Sequence, residues 1–470
     1  MTLNSTSDAL SDETLFTQKM SINHTRVAVI GSVDAGKSTL IGTLTTGILD
    51  DGRGQSRNLI TKYKHEIETG RTSTISSHLL GFNTIGKPIV SSPSFNATKR
   101  KLKTEDKIAA EADKIVSLVD LAGHEKYLKT TIHGVSSGMV DYALVLVNAK
   151  HPPTHMTLQH IGLVSAYGIP IVIVLTKIDG CPKHVLKNTK DEINAIIRSP
   201  QVQKQPFVIK KEADVHLVKD KMHAIAPFVH VSSVTADGLA LLNHLLFSLP
   251  KRRRHYDKIG KSFEFLVDDT FFVTGVGLIV SGLVNAGKTS IGNKVWVGPL
   301  NDGSFLNTMV KSIHLARTSV GTAISGNTAC LALSLDKGQR KLLRKGMVVL
   351  DEPAEVSSVF EATMFVTKGS GVDGTTIGNN YQTMVHILHM KQAATIERIQ
   401  LIQESMICHS NSSESGVIIR PGSRAKIRFR FTKRKEFIRV GMRVLFRDGC
   451  VRASGTVTAV GVEKNDGESV

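Results

Sequence analysis

From residue 26 to about residue 249 the chain alternates short, continuously apolar runs with longer amphipathic stretches; the runs lie at 26–30, 114–118, 143–147, 170–175 and 228–231. Runs of that length without polar alternation read as strands buried on both faces, and their spacing predicts a mostly parallel sheet with helices on both sides. Each run ends in a polar loop containing Gly or Asp, at the carboxyl end where such sheets carry their ligand loops. After residue 262 the texture changes to short segments bounded by Gly, Asn and Asp, at 263–267, 277–283, 294–297, 307–313, 328–333 and 346–350. A second set follows at 359–366, 384–389, 394–401, 423–431, 443–447 and 453–460. The two sets predict two successive antiparallel β-barrels, with Pro353 near their boundary.

The expected organisation is a polar tail over 1–22, an α/β domain over 23–250, a basic linker over 251–258, barrels over 259–352 and 353–463, and a tail over 464–470. A length of 470 residues suits about three domains. The stretch 83–103, rich in Gly, Pro, Ser and basic residues, reads as a long flexible loop. Lys251-Arg252-Arg253-Arg254, directly after Pro250, reads as an exposed basic hinge.

Composition narrows the classes. No apolar run approaches the ~20 residues of a membrane span, so no membrane association is expected. The first twenty residues carry Asp and Glu and lack the order of a secretion signal. Cys181, Cys330, Cys408 and Cys450 lie far apart with no Cys-x-x-Cys spacing, which argues against a zinc site and for a reducing, cytoplasmic location. The formal net charge is +18, enough to favour polyanionic partners. Eleven Lys or Arg between Arg420 and Arg447 face a single acid, Glu436, so RNA is the natural candidate partner.

The first apolar run leads into Gly31-Ser32-Val33-Asp34-Ala35-Gly36-Lys37-Ser38-Thr39 and then a helical pattern. Strand, Gly-x4-Gly-Lys-Ser loop and helix start together make a phosphate-binding loop: backbone N–H groups and the helix N-terminus cradle a polyphosphate, Lys37 reaches its outer charges, and Ser38 offers a hydroxyl to Mg²⁺. Gly282 to Thr289 matches the same expression letter for letter. A turn and another strand follow it, so it reads as a hairpin-type turn that binds no nucleotide.

Three further signals choose the base and the task. Asp120-Leu121-Ala122-Gly123-His124 follows the run at 114–118; Asp120 can hold Mg²⁺ through water, Gly123 can bring its N–H to a terminal phosphate, and His124 can orient a water. Thr176-Lys177-Ile178-Asp179 follows the run at 170–175. The Asp179 carboxylate can accept from the N1–H and exocyclic amine of guanine, a donor pair adenine lacks, so GTP and GDP are favoured over ATP. Ser232-Ser233-Val234 can donate a backbone N–H to guanine O6. Between these boxes lies Glu68-Thr69-Gly70-Arg71-Thr72-Ser73; a hydroxyl there could coordinate Mg²⁺ and sense the γ-phosphate. The expected fold class is therefore an α/β P-loop GTPase domain followed by two antiparallel β-barrel domains.

These motifs resemble those of the translational GTPases, typified by elongation factor Tu and elongation factor 1-alpha, and are most similar to the GTP-binding protein 1 and 2 family. The resemblance rests on the phosphate loop, on residues 64–73 and 120–131, on Thr176-Lys177-Ile178-Asp179, and on Val310-Lys311-Ser312-Ile313-His314 and Met384-Val385-His386 in the barrels. It covers nearly the whole chain after residue 22. It implies that Ser38, Thr72 and Asp120 serve Mg²⁺, that His124 positions the attacking water, that Asp34 lies near that water, and that the first barrel contacts aminoacyl-tRNA or the ribosome. A monomer is implied, with an exchange factor as a further candidate partner. Thr176 stands where many such proteins have Asn, which is expected to cost a side-chain tie between base loop and phosphate loop; Thr can supply one hydroxyl, so GTP preference is expected to survive with weaker affinity. Arg71 stands where the elongation factors carry an apolar residue; it is a candidate arginine finger in cis, against a surface role pairing with Glu68 or an RNA phosphate. The functional expectation is a GTPase that couples nucleotide state to RNA or ribosome binding, with an RNA-binding scaffold that holds GTP or GDP with little turnover as the alternative.

Overall fold

The computed structural model describes residues 4–61, 66, 72, 75–90, 103–127, 131–132, 134–135, 140–252, 256–336, 338–366, 377–402, 422–448 and 450–461. Arg71, residues 91–102 of the expected flexible loop, Arg420 and the tail from 464 lie outside them. The chain divides into two compact units, Met1–Ile259 with His314–Thr328, and Gly260–Ile313 with Ala329–Val470.

The first unit is built on an eight-stranded sheet: β1 (His24–Gly31), β2 (Ser76–Phe82), β3 (Pro88–Ile89), β4 (Lys114–Asp120), β5 (Tyr142–Asn148), β6 (Ile171–Thr176), β7 (Gln205–Val208) and β8 (Ile225–His230). The order is β3-β2-β4-β1-β5-β6-β8-β7. Every pair from β4 to β7 is parallel, and β2 runs antiparallel to β4 at one edge. Val27 and Val29 of β1 share a core with Leu40, Ile41 and Leu44, and the alternate residues Ala28 and Ile30 are also fully buried. The central strands are thus covered on both faces, which is why they read as unbroken apolar runs. The helices are α1 (Asn4–Ile22), α2 (Lys37–Thr46), α3 (Gln55–Asn58), α4 (Glu105–Glu111), α5 (His155–Ala166), α6 (Lys183–Arg198), α7 (Glu212–Val218) and α8 (Leu239–Ser248).

Three expectations for this region need correction. Residues 4–22 form α1 instead of a tail, and Thr17, Met20 and Ser21 are buried. The Ser21 hydroxyl donates to the Ser325 carbonyl at 2.6 Å, and the Asn327 amide donates to the Thr17 carbonyl at 3.0 Å. A polar sequence packs here because its hydroxyls and amides find backbone partners. Lys251 is not an exposed hinge residue: its ammonium donates to the Ser21 carbonyl at 2.6 Å and the Gly326 carbonyl at 3.1 Å, and burial pushes its pKa down to about 8. The start of the expected flexible loop is also ordered, as a turn closed by Asn83 and the short strand β3.

Strands β9 (Glu264–Val273), β10 (Gly277–Ala286), β11 (Lys288–Ser290), β12 (Lys294–Gly298), β13 (Leu306–Leu315), β14 (Thr318–Val320), β15 (Thr322–Ile324), β16 (Thr328–Leu333) and β17 (Val348–Leu350) follow. The order β12-β17-β9-β10-β16-β13 closes through the β12–β13 pairing, making a barrel. The second barrel, β18 (Val359–Val366), β19 (Gln382–Ile387), β20 (Met390–Leu401), β21 (Arg424–Phe431), β22 (Arg443–Asp448) and β23 (Cys450–Val460), closes in the order β18-β21-β20-β19-β22-β23. Its largely aliphatic core includes Phe360, Phe429, Phe431 and Phe446, with Phe360 and Phe429 stacked at 5.1 Å between ring centroids. The second Gly-x4-Gly-Lys pattern falls on β10, a bend at Gly287 and β11; as expected, no helix follows it.

The basic stretch of the second barrel is less bare than its sequence. Glu397 on β20 pairs with Arg428 and Arg430 of β21, and Glu361 on β18 pairs with Lys426. Glu436, almost fully buried, takes Arg344 and Arg434. Neighbouring strands supply acids that the linear count missed.

Candidate nucleotide-binding site

Strand β1 delivers the phosphate loop to the carboxyl edge of the sheet. A Cβ at Gly31 would lie 2.4 Å from the Leu146 carbonyl oxygen, so only glycine lets the loop leave the strand beside β5. Gly36 caps α2 in the left-handed conformation, and α2 begins at Lys37. The Lys37 ammonium is held by the carbonyls of Gly31 at 3.0 Å and Ser32 at 2.8 Å. Burial pushes its pKa down to about 8, against the opposing charges of Asp120 and Asp34. Asp34 itself adopts a positive φ of 61° at the tip of the loop.

Asp120 ends β4 directly beneath. The Ser38 hydroxyl donates to Asp120 Oδ2 at 2.6 Å and lies 2.9 Å from Thr72 Oγ1, which is 3.5 Å from the same carboxylate oxygen. Asp120 Oδ1 is buried with no hydrogen-bond partner among the described residues. Burial pushes the Asp120 carboxyl up to about 6, with Glu66 adding to the rise and Ser38, Lys37 and Thr72 opposing it. Two hydroxyls and a carboxylate with an unused oxygen form a hard-oxygen donor set of the kind Mg²⁺ takes. These residues fit that ion.

Leu121 and Ala122 are buried behind the wall, and Ala122 accepts a hydrogen bond from the Thr131 hydroxyl at 2.7 Å. Gly123 and His124 face the cavity. A Cβ on Gly123 would meet Lys37 Nζ at 2.3 Å and the Gly31 carbonyl oxygen at 2.6 Å. His124 Nδ1 accepts from the Lys126 backbone N–H at 3.1 Å, which fixes the ring.

The opposite end of the cavity holds the groups expected to select the base. Thr176 closes β6 and its hydroxyl lies 2.8 Å from the Ala35 carbonyl and 3.2 Å from that of Val147. Lys177 follows with φ 58°. Asp179 Oδ1 accepts from the Ser232 hydroxyl at 2.6 Å, and Lys150 Nζ stands 4.0 Å from Oδ2. Ser232 Oγ in turn accepts from the N–H groups of Val234 and Thr235, so one serine orders both loops. Val33, Asp34, Gly36, Lys37, Ser38, Thr39, Thr72, Gly123, His124, Lys177, Asp179, Ser233 and Val234 line one cavity of about 530 Å³. Gly31, Ser32, Ala35, Leu121, Ala122, Thr176 and Ser232 stand behind its walls and position them.

Sequence reasoning missed two parts of this wall. Asn148, Lys150 and His151 line it from the loop after β5; that loop leaves the carboxyl end of a parallel strand, a position that was itself a signal. Asp50, Gly52, Arg53, Gly54 and Arg57 close another side, and nothing in Asp-Asp-Gly-Arg-Gly distinguished them from an ordinary turn.

The family model for the elongation factor Tu GTP binding domain matches residues 22–251. The chain is 37% identical over 437 residues to GTP-binding protein 1 of Xenopus laevis, covering 92% of this chain and 63% of that protein. It is 36% identical over 443 residues to GTP-binding protein 2 of Homo sapiens, covering 93% of this chain and 69% of that one. The chain thus spans roughly two thirds of the length of these relatives. Elongation factor SelB from Methanococcus maripaludis, in complex with the GTP analogue GppNHp, superposes with a TM-score of 0.63 at 18% identity, over 94% of this chain and 80% of that one. The S. cerevisiae Ski7 GTPase-like domain, bound to GTP, gives 0.67 at 12% identity, over 93% and 98%. The structural likenesses establish the fold, and the sequence identity across more than nine tenths of the chain establishes kinship: this chain belongs to the GTP-binding protein 1 and 2 family of translational GTPases.

Proposed function

We propose that the chain is a Mg²⁺-dependent GTPase that couples its nucleotide state to RNA or ribosome binding. The observation that supports this reading best is the meeting of Ser38, Thr72 and Asp120 within 3.5 Å of one another, beside Lys37 and in the cavity that also holds Asp179. Asp179, oriented by Ser232, accepts from guanine N1–H and its exocyclic amine. The Lys177 stem lies along the base, and Lys37 and the loop N–H groups hold the phosphates. When bound, Mg²⁺ supplies charge neutralisation at the β- and γ-phosphates. His124, held by Lys126, orients the attacking water on the side of Gly123 and Asp34.

Single-turnover hydrolysis by His124→Ala tests the enzymatic part. The reading requires the variant to lose turnover while keeping GTP affinity; a wild-type protein without turnover would instead make it a nucleotide-holding scaffold. GTP displaced by an equal concentration of ATP would remove the role given to Asp179. Co-sedimentation with ribosomes in the presence of a non-hydrolysable GTP analogue, compared with GDP, tests the partner and the switch together.

A further inference from the structure

The segment after α2 is fastened at both ends of the nucleotide cavity. At one end the Asp50 N–H donates to the Ser233 carbonyl at 2.9 Å, beside the base-selecting loop. At the other, Ser56 Oγ lies 3.3 Å from the Thr39 carbonyl and 3.3 Å from Thr43 Oγ1, against the helix that carries the phosphate loop. Between these anchors the buried Asp50 carboxylate organises the backbone. Its Oδ2 accepts from the N–H groups of Gly52 and Gly54 at 3.0 and 3.2 Å, and its Oδ1 from the N–H and hydroxyl of Ser56 at 3.1 and 3.0 Å. Four donors on one carboxylate hold this turn rigidly.

The turn exists in order to aim something. It runs from the base end of the cavity to Thr39, across the stretch that a nucleotide's ribose and inner phosphates occupy when its base meets Asp179 and its outer phosphates meet Lys37. On that stretch it presents two guanidinium groups, exposed Arg53 and half-buried Arg57, both lining the cavity. Gly54 leaves room for the second: a Cβ there would approach the Arg57 guanidinium at 3.3 Å. Arginine suits this position because its planar fork binds phosphate oxygens bidentately and keeps its charge.

We infer that Arg53 and Arg57 grip the phosphate portion common to GTP and GDP, at the α-phosphate, and so set affinity for both nucleotides without discriminating between them. The inference rests on the proposed guanine-nucleotide site and gives it a third wall.

Displacement titration with GDP, GTP and guanosine tests it, on wild type, Arg53→Ala, Arg57→Ala and Arg57→Lys. Arg57→Ala is expected to weaken GDP and GTP alike, roughly 10- to 100-fold, with guanosine nearly unchanged; Arg57→Lys recovers part of the loss. Arg53→Ala gives a smaller loss of the same pattern. Unchanged GDP affinity in both alanine variants overturns the inference, as does an equal loss for guanosine, which would mark a structural role for the turn. If Arg57→Ala does not fold, Arg53→Ala and Arg57→Lys carry the same comparison. A wild-type protein that binds neither GDP nor GTP overturns the site itself, and the wild-type titration alone reveals it.

Discussion

The Thr176 hydroxyl lies 2.8 Å from the Ala35 carbonyl, so the loop after β6 is tied to the middle of the Gly31–Thr39 loop by one buried side-chain hydrogen bond. Threonine in place of an amide was expected to cost one tie while still supplying one hydroxyl; β6 ends close enough to the loop for that hydroxyl to reach. Thr176→Val keeps the shape and removes the donor, leaving two buried carbonyls without it. A neutral hydrogen bond is worth roughly 0.5–1.5 kcal/mol, so GTP and GDP affinity should both fall about two- to tenfold. Preference for guanine should persist, because Ser232 still holds Asp179. Competition titrations with GTP, GDP and ATP check both halves.

Gly123→Ala should damage the phosphate end selectively. The added Cβ would sit 2.3 Å from Lys37 Nζ, and two of its three nearest neighbours are backbone atoms of the phosphate loop. Lys37 must then leave its place at the floor of the cavity. The expected result is a loss of at least about tenfold in affinity for GTP, since a charge-assisted contact is displaced, with guanosine binding at the base end far less affected. Calorimetric titration with GTP and displacement with guanosine separate the two.

Much of this was legible in the chain because the phosphate loop, Asp120 and Asp179 each follow a buried apolar strand, and parallel α/β sheets bring such strand ends together. The barrels were legible from alternating segments bounded by turn residues. What escaped shares a physical cause. Strand β2 lies second from the edge of the sheet, and its Ser76, Ser77 and His78 gave no apolar run. Helix α1 has no apolar periodicity and packs through backbone carbonyls that accept from Asn327 and Lys251. The Asp50 turn is held by hydrogen bonds between a carboxylate and backbone groups, an arrangement that residue spacing does not encode. The ion pairs of Glu397 with Arg428 and Arg430 join different strands, so the linear count overstated the bare charge of that face.

Those pairs change which basic residues should govern polyanion binding. Arg428 and Arg430 share Glu397, whereas Lys433 and Lys435 are exposed beyond the end of β21. Reversal of Lys433 and Lys435 to Glu should therefore weaken RNA binding more than reversal of Arg428 and Arg430. Glu397→Gln, by releasing two guanidinium groups, should strengthen it and steepen the dependence on salt. Filter binding of a single-stranded RNA at several salt concentrations reads all three; identical slopes would exclude this face as the contact.

The buried carboxylate of Glu436 should matter for stability out of proportion to its size. It takes Arg344 at 2.9 Å and Arg434 at 3.0 Å, and Gln392 donates to it at 3.3 Å. Glu436→Ala leaves two guanidinium groups without their anion, a change that typically costs about 3–5 kcal/mol. Glu436→Gln keeps hydrogen-bonding capacity and should cost less. Urea unfolding followed by near-ultraviolet circular dichroism should show the midpoint order wild type, Glu436→Gln, Glu436→Ala.

His160 gives the first unit an acid sensitivity of calculable sign. It is fully buried on α5, neither ring nitrogen has a hydrogen-bond partner among the described residues, and burial, reinforced by the charge of Lys37, pushes its pKa from 6.5 down to about 3. Between those two values the unfolded chain binds a proton that the folded chain refuses, so stability falls as pH drops through the window and is fully present above it. The loss should reach about 2 kcal/mol at pH 5 and about 4 kcal/mol near pH 3. His160→Leu removes the titrating group together with two unpartnered nitrogens. Its stability should match or exceed wild type at pH 7.5, and the advantage should grow as pH falls from 6.5 toward 3. Thermal melting of both proteins across that range decides the matter: parallel curves would mean that the ring takes up a proton in the folded state, and that its surroundings hold a partner for it.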